Sequence, residues 1–224
     1  MQLVDRDVAQ IEERTGQHQS GKLRAVLESC AARTGQELNK SATAEDADVS
    51  FRTADRSLEL LEDLLVVARV PSWHTKRLQR LTRSPKVYLT DPGMAAYLLS
   101  TEAEQLGREP TLVGQMFETF VVAELISHLE TTSERTRLFH FRDRKGHEID
   151  AVLERAGLVV GVEVKSSTKV DRSDARGLVW LRDRMDADFQ FGAVPYSGLL
   201  PFRLDDRIWA LPISALWQPS GPSS

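Results

Sequence analysis

The chain has 224 residues, 41% hydrophobic and 28% charged, with a formal net charge of −4. That length holds one large domain or two small ones, and the composition is ordinary for a soluble globular protein. The acidic balance excludes a global attraction to nucleic acid, and Cys30, the only cysteine, excludes an internal disulfide and a cysteine-rich zinc site and fits a reducing cytoplasm.

The N-terminus, MQLVDRDVAQIEE, has no apolar core and is not a signal peptide. No apolar run is read as long enough to span a membrane. Residues 3–14 carry Leu3, Val4, Val8 and Ile11 at helical spacing. A second helix is expected over residues 22–34, with Leu23, Val26, Leu27 and Cys30 inward, stopped by Gly35. Between them GQHQSGK, residues 16–22, has the spacing of a phosphate-binding Walker loop. Leu23 stands where that loop needs a Ser or Thr for magnesium, and the preceding IEERT is charged and helical rather than a buried strand. No ATP site is expected here.

Residues 41–48 read as a short helix capped by Ser41. A third helix starts at Ser50 and runs to Asp63 or Leu65, with Ala54, Leu58, Leu61 and Leu65 as its apolar stripe. Residues 66–70 and 86–89 then read as paired strands. Three helices followed by a hairpin is the order of a winged helix-turn-helix. Across residues 41–70 the acids Glu45, Asp46, Asp48, Asp55, Glu59, Glu62 and Asp63 outnumber Arg52, Arg56 and Arg69, so a recognition helix here is repelled by phosphate. Residues 71–88 differ: Lys76, Arg77, Arg80, Arg83 and Lys86 occur without an acid, beside Trp73 and His74. That patch suits a phosphate backbone gripped without sequence reading, or an acidic protein surface.

Residues 91–100 form a helix with Asp91 as cap and Pro92 in its first turn. The polar stretch 101–111, with Gly107 and Pro110, is the expected domain boundary. Residues 114–129 form a long apolar helix. On its wheel Glu118 falls on the stripe of Val122, Leu125 and Leu129, where a carboxylate is costly unless it is paired or bound to metal. Its two readings are a metal ligand and a salt bridge to an arginine such as Arg142.

Three short strands follow, over residues 138–142, 148–153 and 159–164, with turns at Lys145-Gly146 and Ala156-Gly157. Asp150 lies on the second, and Glu163 and Lys165 lie on one face at the end of the third, because side chains alternate along a strand. Two carboxylates bind a hard divalent cation, and a lysine beside them steadies an attacking water or the charge building on phosphate. His140 and His147 read as surface or orienting residues. Ser166, Ser167 and Lys169 read as a solvated loop with a phosphate contact as the other reading. Residues 171–185 form a helix, 189–194 a further strand, 199–204 and 208–211 edge segments, 212–217 a terminal turn, and 218–224 a disordered tail.

Asp150, Glu163 and Lys165 at this spacing resemble the PD-(D/E)XK nuclease-like superfamily. The phrases GHEIDAVLE, VGVEVKSS and GQMFETFVVAEL, with SPKVYLTDPGMAAYLL and ALPISALW, look like the C-terminal domain of unknown function carried by many prokaryotic AAA-type ATPases. The resemblance covers roughly Leu3 to Trp217. It implies an α/β fold: a winged-helix-like module over residues 1–100 joined to a restriction-endonuclease-like domain with a central mixed sheet over 101–217. The ATPase domain of that architecture is expected to be absent, the chain being a truncated relative or a stand-alone form. The leading function is metal-dependent DNA phosphodiester cleavage. Asp150 and Glu163 would hold Mg2+ or Mn2+, the Val164 carbonyl would be a third ligand, Glu118 an auxiliary ligand, and Lys165 would orient the water. The competing function is a non-catalytic regulatory module that binds DNA or another protein and keeps only the nuclease shape. The expected partners are DNA or a separate protein, with no membrane; nuclease-like folds often work as dimers, which makes a homodimer one expected assembly.

Overall fold

The computed structural model describes residues 20–74, 84–99, 108–133 and 135–217. The expected helix at residues 3–14, most of the Walker-like stretch, the basic residues Lys76, Arg77, Arg80 and Arg83, much of the expected boundary at 101–111 and the tail at 218–224 lie outside them. The chain forms two compact units. One ends at Val70 and resumes over Ser84–Phe120; the other begins at Pro71 and resumes at Val121. The later division falls inside a helix.

In the first unit, α1 (Ser20–Ala32), β1 (Gln36–Glu37), α2 (Lys40–Asp46), α3 (Phe51–Asp63), β2 (Val67–Val70) and β3 (Lys86–Leu89) follow in order. The strands form an antiparallel sheet in the order β1-β3-β2. Val67 pairs with Leu89 and Val70 with Lys86, as the alternation of the two runs requires. The sequence reading missed β1, whose two exposed residues carry no apolar signal. The helical stripes meet as expected: Leu23, Val26, Leu27 and Cys30 pack with Ala54, Leu58 and Leu61 over Val67, Val87 and Leu89. Each fully buried leucine contributes roughly 1.5–3 kcal/mol relative to exposure. Leu65 departs from its expected place: α3 stops at Asp63, and Leu65 is 65% exposed with a positive φ. Caps set the helix starts. The Ser50 hydroxyl accepts the Thr53 N–H at α3, and Asn39, not Ser41, caps α2 by accepting the Ala42 N–H. Asp91 caps α4 (Pro92–Leu98) through the Gly93 and Met94 amides.

Helix α5 (Pro110–Thr131) has 22 residues, longer than expected. It is the one described helix long and apolar enough to cross a membrane by length and composition, which corrects the sequence reading on that point. Two of its three glutamates are engaged within the protein: Glu118 by Lys86 and Tyr88, Glu124 by the Trp217 indole.

The second unit is built on a six-stranded mixed sheet in the order β4-β5-β6-β7-β9-β8. Its strands are β4 (Arg137–Arg142), β5 (Glu148–Arg155), β6 (Leu158–Val162), β7 (Phe189–Tyr196), β8 (Phe202–Asp205) and β9 (Ile208–Pro212). β4, β5 and β6 form an antiparallel meander, whereas β6 pairs with β7 and β7 with β9 in parallel. A parallel pair needs a crossover, and between β6 and β7 it is a 3-10 turn (Arg172–Ala175) leading into α6 (Arg176–Met185). Leu178 and Leu181 anchor α6 in a core with Phe139, Ile149, Val159, Phe189, Val194 and Ile208. Two glycines allow its close approach: a Cβ on Gly177 would meet the Glu148 carbonyl oxygen at 2.3 Å, and one on Gly161 would meet Leu178 at 2.6 Å. This places the N-terminal end of α6 against the start of β5.

Candidate functional site

Asp150 lies near the start of β5 and is 8% exposed. Ala151 pairs with Val162, so the β5–β6 ladder leads from Ala151 back to Asp150 as it leads from Val162 on to Glu163. β6 ends at Val162, but the chain stays tied to β7: the Glu163 N–H donates to the Ala193 carbonyl and the Lys165 N–H to the Pro195 carbonyl. The Val164 N–H turns the other way and donates to Asp150 Oδ2 at 2.7 Å. One backbone amide thus holds the carboxylate of the neighbouring strand, and the alternation puts Glu163 and Lys165 together.

Lys165 Nζ donates to Glu163 Oε1 at 2.9 Å. Glu163 Oε2 is buried and has no hydrogen-bond partner among the described residues. Burial, reinforced by the charge of Asp150, pushes the Glu163 carboxyl up to about 8 despite the opposing ammonium of Lys165. Burial works against the Lys165 ammonium, yet Glu163, Asp150 and Asp174 together raise its pKa above the ordinary value. A deeply buried carboxyl that resists ionisation and leaves one oxygen unmatched is suited to receive a cation.

Glu163 and Lys165 line a cavity of about 680 Å³, with His147 just before β5, Glu148 at its start, and Asp174, Arg176, Trp180 and Asp183 from the 3-10 turn and α6. Asp150 does not line it. The sequence reading passed over the α6 side of this wall. Its signal was D-R-S-D at residues 171–174: the two aspartates form a capping box that starts the crossover and points a carboxylate-rich turn at the strand ends. His147, read as a surface or orienting residue, lies on the same wall. Its Nδ1 is 2.9 Å from Asp143 Oδ2, and its ring stacks on Trp180 at 4.7 Å between centroids. Trp180 also stacks on Phe141 at 4.8 Å and lines a second cavity of about 260 Å³ with Trp73, His74, Phe141, Asp143, Lys145 and Arg184.

Other candidates stand elsewhere. Glu118 accepts from Lys86 Nζ at 2.9 Å and from the Tyr88 hydroxyl at 2.6 Å, within the first unit. Neither the metal role nor the Arg142 partner expected for it is needed to account for its burial; Arg142 pairs with Glu148 at 3.9 Å. Lys86, expected to grip phosphate, is 2% exposed with its ammonium on Glu118, because it points into the sheet's packed face. His140 is 1% exposed rather than at the surface, and its backbone pairs with Pro71 and Trp73. The Ser167 hydroxyl caps the Lys169 N–H, and the Ser166 and Ser167 carbonyls take Ser197 as donor, so this loop is tied down from within.

Among the described residues no group of three or more His, Cys, Asp or Glu side chains forms a ready metal cage. The donor set fits a hard cation of another kind: magnesium is commonly held by one or two carboxylates, with waters and substrate phosphate completing the shell. The orphaned Glu163 oxygen beside Asp150 meets that description.

Fold and site together define a mixed α/β protein with a carboxylate–lysine site at one end of its larger sheet. Residues 113–216 match a family model described as Domain of unknown function (DUF4143), and residues 1–105 match one described as Domain of unknown function (DUF8612). Among curated proteins the chain is similar to Uncharacterized protein Rv2008c of Mycobacterium tuberculosis and Uncharacterized protein Mb2031c of Mycobacterium bovis. It is 31% identical to each over 213 residues, covering 94% of this chain and 45% of theirs. The chain therefore spans about half the length of the curated relatives it matches. No solved structure matches it.

Proposed function

We propose that this chain is a metal-dependent DNA phosphodiesterase of the PD-(D/E)XK nuclease-like kind. The observation that carries the reading is Glu163: buried, beside Asp150, with Oε1 on the Lys165 ammonium and Oε2 unmatched, on the wall of a cavity of about 680 Å³. Asp150 and Glu163 would hold Mg2+ or Mn2+, with the Val164 carbonyl as a third ligand. Bound there, the cation would acidify a water and neutralise charge on a phosphate oxygen. Lys165, kept cationic by its carboxylate neighbours, donates to the attacking water or to a non-bridging phosphate oxygen. Arg176, on the same cavity wall, supplies a second cation to the phosphate. Glu118 accepts from Lys86 and Tyr88, and the present reading assigns it no ligand role.

The first unit supports a winged-helix-like reading through its element order of helix, strand, two helices and a strand pair, closed by the β1–β3 pairing. With it, the basic residues Lys76, Arg77, Arg80 and Arg83 are the proposed phosphate grip. The extra length of the curated relatives fits an architecture with a further domain, such as an AAA-type ATPase, of which this chain represents the other half.

A second reading has an observation of its own. Asp150 accepts from Val164 and one oxygen of Glu163 from Lys165, internal contacts of the kind a descendant that keeps the shape alone would show. Calorimetric titration of Mn2+ separates the two, with wild type beside Asp150→Ala, first alone and then with a DNA duplex and a single strand. Binding by wild type and not by the variant, followed by Mn2+-dependent cleavage of either DNA form, is the expected result. No heat from either protein in the presence of DNA refutes the nuclease and leaves the non-catalytic module.

A further inference from the structure

We propose that His147, held by Asp143 and shelved on Trp180, is the proton donor to the leaving oxygen in phosphodiester cleavage; the inference rests on the nuclease reading above. His147 lines the same cavity as Glu163, Lys165 and Arg176. Its orientation is fixed from two directions. Asp143 Oδ2 meets Nδ1 at 2.9 Å, and the indole of Trp180 lies nearly parallel to the imidazole, 17° between planes at 4.7 Å. Asp143 is itself immobilised, since its Oδ1 accepts the backbone N–H groups of Lys145 at 2.8 Å and His147 at 3.0 Å.

These contacts determine which nitrogen works. Loss of solvent disfavours the Asp143 carboxylate, but the donors from the His147 ring and the two amides outweigh it and hold its pKa below the ordinary value. An ionised carboxylate only accepts, so Nδ1 carries a hydrogen toward Asp143 in either charge state of the ring. Nε2 has no hydrogen-bond partner among the described residues, which leaves it for the cavity. The pair spans two openings: His147 lines the larger cavity, Asp143 the smaller one, and Trp180 both.

In the step, the water oxygen bonds to phosphorus as the P–O bond to the leaving sugar oxygen breaks. That bond's electron pair goes to the leaving oxygen, which takes the proton from imidazolium Nε2. The proton of the attacking water passes to solvent, and solvent later reprotonates the imidazole. Asp143 is a positioning residue in this scheme, since it acts through the ring.

The test uses two diesters with the full chain and Mn2+: an oligodeoxynucleotide, whose sugar alkoxide needs a proton to leave, and thymidine 5′-(p-nitrophenyl phosphate), whose nitrophenolate leaves without one. Replacing His147→Gln should lower oligonucleotide cleavage by about 10²- to 10³-fold and change nitrophenyl ester cleavage by less than about 3-fold. Equal losses on both esters, or no loss on either, overturn the proton-donor role while the nuclease stands. No cleavage of either ester by wild type overturns both proposals. A readout independent of turnover accompanies it: the nitrogen-15 shifts of the His147 ring in metal-free protein. Once the ring has given up one proton, the proton that remains is expected on Nδ1, and one that remains on Nε2 overturns the assignment.

Discussion

The sharpest quantitative consequence concerns Glu163→Gln in metal-free protein. Glu163 has an ordinary value of 4.5 in the unfolded chain and about 8 in the fold, chiefly through burial and then through Asp150. Between those limits the folded state keeps a proton that the unfolded state has released. Stability from this group is therefore complete below pH 4.5 and is lost as pH rises through 8, at about 1.4 kcal/mol per pH unit. At pH 7 roughly 2.5 units of that range have been crossed, a cost on the order of 3 kcal/mol. Glutamine keeps an acceptor for Lys165 Nζ and never ionises, so the variant should match wild type near pH 4 and exceed it by about 3 kcal/mol at pH 7. Urea unfolding in chelator, followed by tryptophan fluorescence, measures the gap; Trp73, Trp180, Trp209 and Trp217 all lie in the same unit as Glu163. Titrating groups remote from Glu163 are common to both proteins and cancel in the difference. A gap independent of pH between 4.5 and 8, or a variant less stable than wild type at pH 7, would falsify the burial argument. Adding Mn2+ should reverse the order, because a cation bound by the carboxylate stabilises wild type alone.

Three further outcomes follow from the packing. Gly177→Ala places a methyl 2.3 Å from the Glu148 carbonyl oxygen, a backbone atom that cannot swing aside. It should lift α6 and cost about 1–3 kcal/mol, read as a lower urea midpoint by tryptophan fluorescence. Lys86→Met removes the ammonium that pairs with the buried Glu118 carboxylate and should cost about 3–5 kcal/mol by far-ultraviolet circular dichroism, whereas Lys86→Met with Glu118→Gln should recover most of it; equal losses in both variants would show that the pair is not coupled. Ser50→Ala removes the hydroxyl that accepts the Thr53 N–H and should cost about 1 kcal/mol in the same assay.

Local pattern made much of this molecule legible. The runs at Leu138, Glu148 and Val159 alternate or stay apolar between glycine turns, and the structure has strands there, although β5 runs on to Arg155 and β6 stops at Val162. The inward stripe of α1 needed only a period of 3.6. Long-range partners were not legible. Glu118 was identified as a carboxylate in apolar company, but nothing local points to Lys86 and Tyr88, some thirty residues away, as its donors. Asn39 displaced Ser41 as the α2 cap because the turn after β1 places the cap two positions earlier than the composition suggests. His140 reads as polar, and only the addition of Pro71–Trp73 along β4 buries it. At the candidate site Asp150, Glu163 and Lys165 could be named from their spacing. Asp174, Arg176 and Trp180 enter through the parallel crossover, whose return path no local pattern encodes.

Cys30 gives the molecule a property its packing was not selected to display. The thiol is 1% exposed in the core of the first unit, and burial pushes it up to about 12, outweighing the nearby Arg69 and Arg33. A thiol in that state reacts with an alkylating reagent only when its surroundings open. The four tryptophans all belong to the other unit. Pulsed alkylation and intrinsic fluorescence therefore act as two separate clocks in one unlabelled chain, and comparing them in urea times the opening of each half against the other.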